Sequence, residues 1–296
     1  MSEPCSPPII SYSHRVQGRL RLKFVHDPLT QHTQLATCEQ QQPLQVIRAF
    51  PLAYGGVLVH LHNLSGGILG GDLLTLEIEV GADAYAQLTS TSATRLYRCR
   101  PAAAMARQTI AVHVGSNGLL EYVPDPLIPF AGARYQQQTH IDLAEGAGLF
   151  WWETVAPGRI AHGELFAYDL LQLEYAITAG GKPLAIERCR LTPQQHAMHS
   201  LARLGPYRYM GSFYICRVGL AASSWLQLER QLNELAYQFS RPGEIIWGVS
   251  TLVAHGLVVR VLSYEGREIT PGLLSFWREA KQALYGQVAS PPRKIY

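Results

Sequence analysis

Residues 19–25 (RLRLKFV) alternate polar and apolar side chains, the period of a strand with one face against a core. Residues 74–80 (LTLEIEV) and 109–114 repeat the pattern. Residues 171–178 and 183–189 flank Gly180-Gly181, the spacing of a two-residue hairpin turn. Turn residues recur at Gly81-Ala82-Asp83, Gly115-Ser116-Asn117-Gly118, Glu145-Gly146 and Pro157-Gly158. Short strands so punctuated predict a mainly β fold, a large multi-strand architecture arranged as a sandwich or as layered sheets. Two segments change period. Residues 224–239 place Trp225, Leu228, Leu232 and Leu235 near helical spacing behind Ser223 or Ser224 as N-cap. Residues 270–285 open on Thr-Pro-Gly, carry Leu274, Trp277 and Leu284, and end before Gly286. Both predict helices in the C-terminal third, with residues 249–264 returning to strand between them. Trp225 and Trp277 are expected to pack on the β core. The chain (1–296) thus divides into a tail (1–15), a β-rich core (16–220) and a helix-strand-helix part (221–296).

Composition narrows the class. Charged residues make up 16% of the 296 and apolar residues 47%, with a net charge of +3. That balance lacks the basic excess of a nucleic-acid module. Of the 25 cations only Lys23, Lys182, Lys281 and Lys294 are lysine, and arginine is the cation favoured at interfaces. The five cysteines (Cys5, Cys38, Cys99, Cys189, Cys216) are scattered without CxxC spacing and read as reduced thiols. The N-terminus lacks the basic and apolar regions of a signal peptide, and the uncharged stretch 49–71 is broken by Pro51, His60, His62, Asn63 and glycine pairs. The expectation is a soluble cytoplasmic protein with no membrane or nucleic-acid partner.

Three segments carry carboxylates in apolar settings. Ser65-Gly66-Gly67-Ile68-Leu69-Gly70-Gly71-Asp72 is not a phosphate loop, because neither GxxxxGK[ST] nor GxGxxG is present and a strand follows. A tight turn explains its glycines, while Asp72 closes an apolar stretch. Asp125 stands between two prolines in residues 119–130 (LLEYVPDPLIPF), which also hold Glu121; it reads as a turn acceptor or as an acid positioned in a cavity. In residues 149–153 (LFWWE), a strand puts Trp151 and Glu153 on one face and Phe150 and Trp152 on the other. A carboxylate there must be paired or must meet a cation. Arg159 is its expected salt-bridge partner, and Glu164, expected to begin the next strand, is a further member of the set. His60 and His62 share a strand face at a spacing compatible with metal or with a solvated face; His196 and His199 are a weaker pair. Arg95, Arg98 and Arg100 flank Tyr97, a patch suited to solvent or a partner. No HExxH, GxSxG or Ser/His/Asp spacing signals catalysis.

Residues 65–72 (SGGILGGD), 88–98 (LTSTSATRLYR), 120–139 (LEYVPDPLIPFAGARYQQQT), 149–153 (LFWWE), 158–166 (GRIAHGELF) and the ending PPRKIY (291–296) together resemble the urease accessory protein family UreD, also called UreH. The resemblance runs from about residue 18 to the C-terminus. Leu64, Leu73 and Thr91 stand where the family commonly has Pro, Arg and Gln. The resemblance implies a largely β fold with a couple of helices. It implies a non-enzymatic nickel-insertion chaperone, with no tightly bound cofactor, that joins UreF and the GTPase UreG on apo-urease, leaving room for a dimer within that complex. It also implies an internal tunnel for Ni²⁺. Asp72, Glu121, Asp125, Glu153 and Glu164 are the acids expected to line it as transient ligands, since isolated carboxylates release a transition metal that a Cys/His cage would trap. The alternatives are a scaffold bridging UreF and urease with no metal path, or a β-rich hydrolase using two carboxylates. Low charge adds an expectation of aggregation without UreF.

Overall fold

A strand that alternates polar and apolar residues keeps water on one side, whereas an uninterrupted apolar run needs cover on both. Both kinds occur in this chain, and they sort into different layers. The computed structural model describes residues 16–100 and 103–292; the tail expected over 1–15, with Cys5, lies outside them. In chain order the strands are β1 (Gln17–Asp27), β2 (His32–Gln41), β3 (Leu44–Gln45), β4 (Ala49–Pro51), β5 (Val57–Asn63) and β6 (Leu73–Val80). They continue with β7 (Tyr85–Ser90), β8 (Thr94–Leu96), β9 (Ala106–Val114), β10 (Leu119–Tyr122), β11 (Leu127–Pro129) and β12 (Arg134–Leu143). The last are β13 (Gly148–Val155), β14 (Leu170–Ala179), β15 (Lys182–Leu191), β16 (Tyr209–Arg217), β17 (Ile245–Thr251) and β18 (Gly256–Ser263). Helix α1 (Ala222–Phe239) precedes β17, and α2 (Ile269–Tyr285) follows β18. Strand accounts for 48% and helix for 16%, which bears out the mainly β expectation with two helices.

The first sheet has seven strands in the order β15-β14-β12-β9-β6-β1-β2. The second has eleven, along the path β17-β18-β16-β13-β10-β7-β5-β3 with β4, β8 and β11 beside it. From β5 to β14 the chain crosses from one sheet to the other repeatedly, adding a strand to each in turn. The result is a parallel block in each sheet: β1, β6, β9, β12 and β14 in one, β5, β7, β10 and β13 in the other. Antiparallel strands close both ends, β2 and β15 on the first sheet, β3 and β16 on the second. The glycine turns read from the sequence at 81–83, 115–118 and 145–146 are the crossings from the first sheet to the second. Gly180 and Gly181, with φ of 54° and 73°, make the expected hairpin between β14 and β15.

Two cores result, one on each side of the second sheet. Leu20, Leu22, Ile78, Val112, Ile141, Leu173 and Ile177 of the first sheet meet Val59, Leu88, Leu120, Leu149, Trp151 and Tyr214 of the second. On its other face Phe150, Trp152, Phe213, Ile215 and Val259 meet Trp225, Leu228, Leu232 and Ala236 of α1 and Leu273, Phe276, Trp277 and Ala280 of α2. Burying both faces explains why β13, GLFWWETV, is buried at every position while β6 alternates. Trp225 and Trp277 pack as expected. Two boundaries differ from the sequence reading. Residues 249–264 are not one strand but parts of an antiparallel hairpin, β17 and β18. Helix α1 starts earlier, with Ala221 at the cap and no side-chain cap bond, because burial of its apolar stripe rather than a serine sets its start. No helix among the described residues is long and apolar enough to cross a membrane.

Candidate functional site

Glu153 occupies the face of β13 that looks toward the first sheet, beside Trp151, as its strand parity requires. It is 9% exposed. Its Oε1 accepts one hydrogen bond, from Gln137 Nε2 of β12 at 2.9 Å, and its Oε2 has no partner. Gln137 is itself fixed, accepting from Tyr135 Oη at 2.9 Å. Burial is the largest influence on Glu153 and lifts its pKa to about 7; the Gln137 bond opposes the rise and the nearby Glu187 charge adds to it.

The antiparallel register then lays out a polar row on the same face. Glu153 is opposite Ser212 of β16, Ser212 is opposite Arg260 of β18, and Arg260 is opposite Gly248 of β17. Arg260 Nη1 donates to Ser212 Oγ at 3.1 Å. From the facing sheet, Tyr175 of β14 and Glu187 and Cys189 of β15 look into the same space. These residues line a cavity of about 570 Å³ that runs from Glu153 toward the sheet edge, also bordered by Leu204, Met210 and Trp247. Glu187 holds Arg260 through both oxygens, at 2.9 and 3.0 Å, and accepts a hydrogen bond from Tyr214 Oη. Its burial alone would raise its pKa, but the Arg260 and Tyr214 bonds outweigh that and hold it below the usual range. Burial pushes the Cys189 thiol up to about 11, with Glu187 and Glu153 adding to the rise, so it is protonated and unreactive at neutral pH.

Glu121 lies on the opposite face of the same sheet, toward the helices. It is 0% exposed and forms an ion pair with Lys281 of α2 at 2.7 Å. Tyr85 Oη and Gln87 Nε2 of β7 donate to its Oε2 at 2.8 and 2.7 Å, and Trp277 Nε1 donates to its Oε1 at 3.2 Å. Four donors match the roughly four acceptor sites of a carboxylate. Lys281 also donates to Tyr85 Oη at 2.6 Å. This closed network ties α2 to β7 and β10.

The other three acids sit apart from both. Asp72 is buried in the turn before β6, where its Oδ2 accepts from Leu69 N at 2.9 Å. Burial raises its pKa against the Leu69 and Val16 amides. Asp125 is half-buried between β10 and β11 and exchanges hydrogen bonds with Ser90, whose Oγ accepts from Asp125 N at 2.8 Å and donates to Oδ2 at 3.1 Å. Glu164 does not begin a strand: it lies in the loop before β14. It accepts from Arg159 Nε at 2.9 Å, from Arg159 Nη2, and from Ala131 N at 3.1 Å, and Arg159 holds its pKa below the usual range. The expected Glu153–Arg159 bridge is therefore absent. Gly158, with φ of 138°, turns the chain away from β13, and the Arg159 guanidinium instead lies 4.1 Å over Phe130 and pairs with Glu164.

Of the histidines, His60 is buried with its ring edge-on to Phe50, His62 is partly buried with its pKa lowered by burial and by His60, and His196 and His199 are exposed. Among the described residues no three His, Cys, Asp or Glu side chains are grouped to hold an ion. Sequence reasoning missed Ser212 and Arg260, which strand register brings into one row with Glu153, and Glu187, which the facing sheet supplies. It also missed Lys281, although a lysine four residues after Trp277 on a buried helical stripe was a readable signal.

Comparison with known proteins agrees with this architecture's sequence signature. The family model described as UreD urease accessory protein matches residues 16–295. A urease accessory protein UreD from Herpetosiphon aurantiacus is 47% identical over 282 residues, covering 95% of this chain and 97% of its own. Urease accessory protein UreD 2 of Brucella abortus is 32% identical, covering 90% and 88%. A UreD of Anaeromyxobacter is 30% identical, covering 81% and 77%. With a match across almost its full length, the chain belongs to the UreD family of urease accessory proteins.

Proposed function

We propose that this chain assists urease maturation as a non-enzymatic stage in nickel delivery, passing hydrated Ni²⁺ along carboxylates in its interior toward apo-urease. In this reading it works in the cytoplasm in complex with UreF and the GTPase UreG, and the energy for transfer comes from GTP hydrolysis by UreG. The observation that carries it is Glu153: a buried carboxylate with one unpartnered oxygen in a largely apolar cavity that also holds Ser212, Glu187 and Arg260. A buried acid left half-satisfied costs stability, and such sites persist where a ligand uses them. A passing dication needs few protein ligands, keeps its waters, and must leave again, which single oxygen donors allow. Asp72, Asp125 and Glu153 are the acids we retain for this role. Glu121 and Glu164 carry cations of their own, Lys281 and Arg159, and we assign them to the frame.

The test is urease activation at growth-limiting nickel in cells whose own UreD gene is replaced by this chain. Glu153→Gln and Asp125→Asn are expected to lower urease activity at least fivefold while the variants still co-purify with UreF and UreG. Wild-type activation by both would leave the scaffold reading, in which the chain joins UreF to urease and carries no metal.

A further inference from the structure

The cavity beneath Glu153 contains a second carboxylate, and that carboxylate is already occupied. Glu187 is engaged at both oxygens by the Arg260 guanidinium, in the planar two-bond geometry arginine makes with carboxylates. Arg260 is 53% exposed and Glu187 22%, so the pair lies where the cavity meets solvent, while Glu153 lies at the closed end. Ser212 stands between the two, opposite Glu153 across one strand pair, with its Oγ accepting from Arg260 Nη1 across the next. Across from Arg260, Gly248 has no neighbour within 4 Å of where a Cβ would stand, so the side of the cavity next to the guanidinium is open. A half-exposed arginine on a long flexible stem has room to swing into that space once Glu187 is taken from it.

We propose that Arg260 is a resident cation that plugs the cavity, and that a divalent ion is admitted by taking Glu187 from it, with Ser212 and Glu153 next along the row. Arg190 and Arg203 also line the cavity, and Arg260 keeps Glu187 occupied until an ion displaces it, whereas Glu187 without a partner would attract any cation in solution. It also sets a threshold: an ion enters only if it binds Glu187 more strongly than a bidentate guanidinium does, which a hydrated dication delivered at high local concentration achieves and a monovalent ion does not. No bond is made or broken in this exchange. The inference rests on the reading of the cavity as a cation path, and it assigns to one named pair the control of access.

The experiment is Ni²⁺ binding to the purified full chain, co-purified with UreF where solubility requires it, followed by equilibrium dialysis with Ni²⁺ as the probe. Arg260→Met keeps the stem and removes the charge; it is expected to bind Ni²⁺ about tenfold tighter, since the ion no longer displaces a charge-assisted pair. Arg260→Met combined with Glu187→Gln is expected to lose that gain. Affinity in Arg260→Met equal to or weaker than wild type, with an unchanged circular dichroism spectrum, overturns the proposal. Should Arg260→Met fail to fold, Arg260→Lys retains the charge but not the fork: tightened binding supports the plug, and unchanged or weakened binding overturns it. Urease activation by Glu153→Gln separates this from the route itself. Tightened Ni²⁺ binding in Arg260→Met alongside full activation by Glu153→Gln supports the plug and sinks the route; unchanged binding alongside lost activation does the reverse.

Discussion

Burial of a single carboxyl gives Glu153 a measurable effect on stability. Its pKa is about 7 in the fold against 4.5 when free. Between those values the folded chain holds a proton that the unfolded chain has released. Stability therefore falls as pH rises through that window and levels off above it, by an amount on the order of 3 kcal/mol. Gln137, Ser212, Tyr122, Tyr135, Tyr175 and Glu187 surround this carboxyl, and the cation in its row, Arg260, is paired with Glu187 rather than with Glu153. Glutamine fills the same space without ionising, so Glu153→Gln is expected to melt higher than the wild type at pH 8 and alongside it at pH 5. Thermal unfolding across that range checks this; identical melting at pH 8 contradicts it. Lys281 presents the opposite case. Removing it in Lys281→Met strands the Glu121 charge and should cost about 3–5 kcal/mol, whereas Lys281→Met with Glu121→Gln should recover most of the loss. Denaturant midpoints of the two variants give the comparison. Glu153 was legible as a carboxyl on a tryptophan-bearing strand face, because parity is a local property. Its partner was not, because nearness in sequence pointed to Arg159 while the turn at Gly158 sends that side chain to Glu164.

At the level of the element, the alternation in β6 and β9 and the unbroken burial of β13 followed from local pattern, and so did both helices. The winding did not. Parallel neighbours such as β10 and β13 are separated by about one full circuit through the other sheet, and the sequence has no internal repeat to announce it. The row from Glu153 to Arg260 was hidden for the same reason: it exists only once three strands are in register. Helix α2 depends on an equally non-local fit. Gly272 faces Trp247 of β17 so closely that an added Cβ would stand 2.3 Å from the indole. Gly272→Ala is expected to lift the first turns of α2 from the sheet and cost about 1–3 kcal/mol, despite alanine's better helix propensity. A raised denaturant midpoint in that variant would contradict the packing described.

Across the whole molecule, the second sheet is sandwiched between the first sheet and the helix layer, and its central strands share both cores. Hydrogen exchange should follow that arrangement. Amides of β7, β10 and β13 are expected to exchange slowest, near the global unfolding limit, and those of residues 193–203, a largely exposed loop whose end borders the cavity, fastest. Fast exchange in β13 would show that the middle layer is not the most stable part.

The alternating course of the chain bears on its synthesis as well. Each circuit emerging from the ribosome can dock on the one before it, so the nascent protein can grow from β5 onward like a coil wound on a spool. Until β15 and β16 have been translated, the growing end presents bare parallel edges in both layers, open to pairing with any neighbouring chain. Truncations ending after β14 should accordingly collect in inclusion bodies to a greater extent than chains carried through α2 under the same expression conditions.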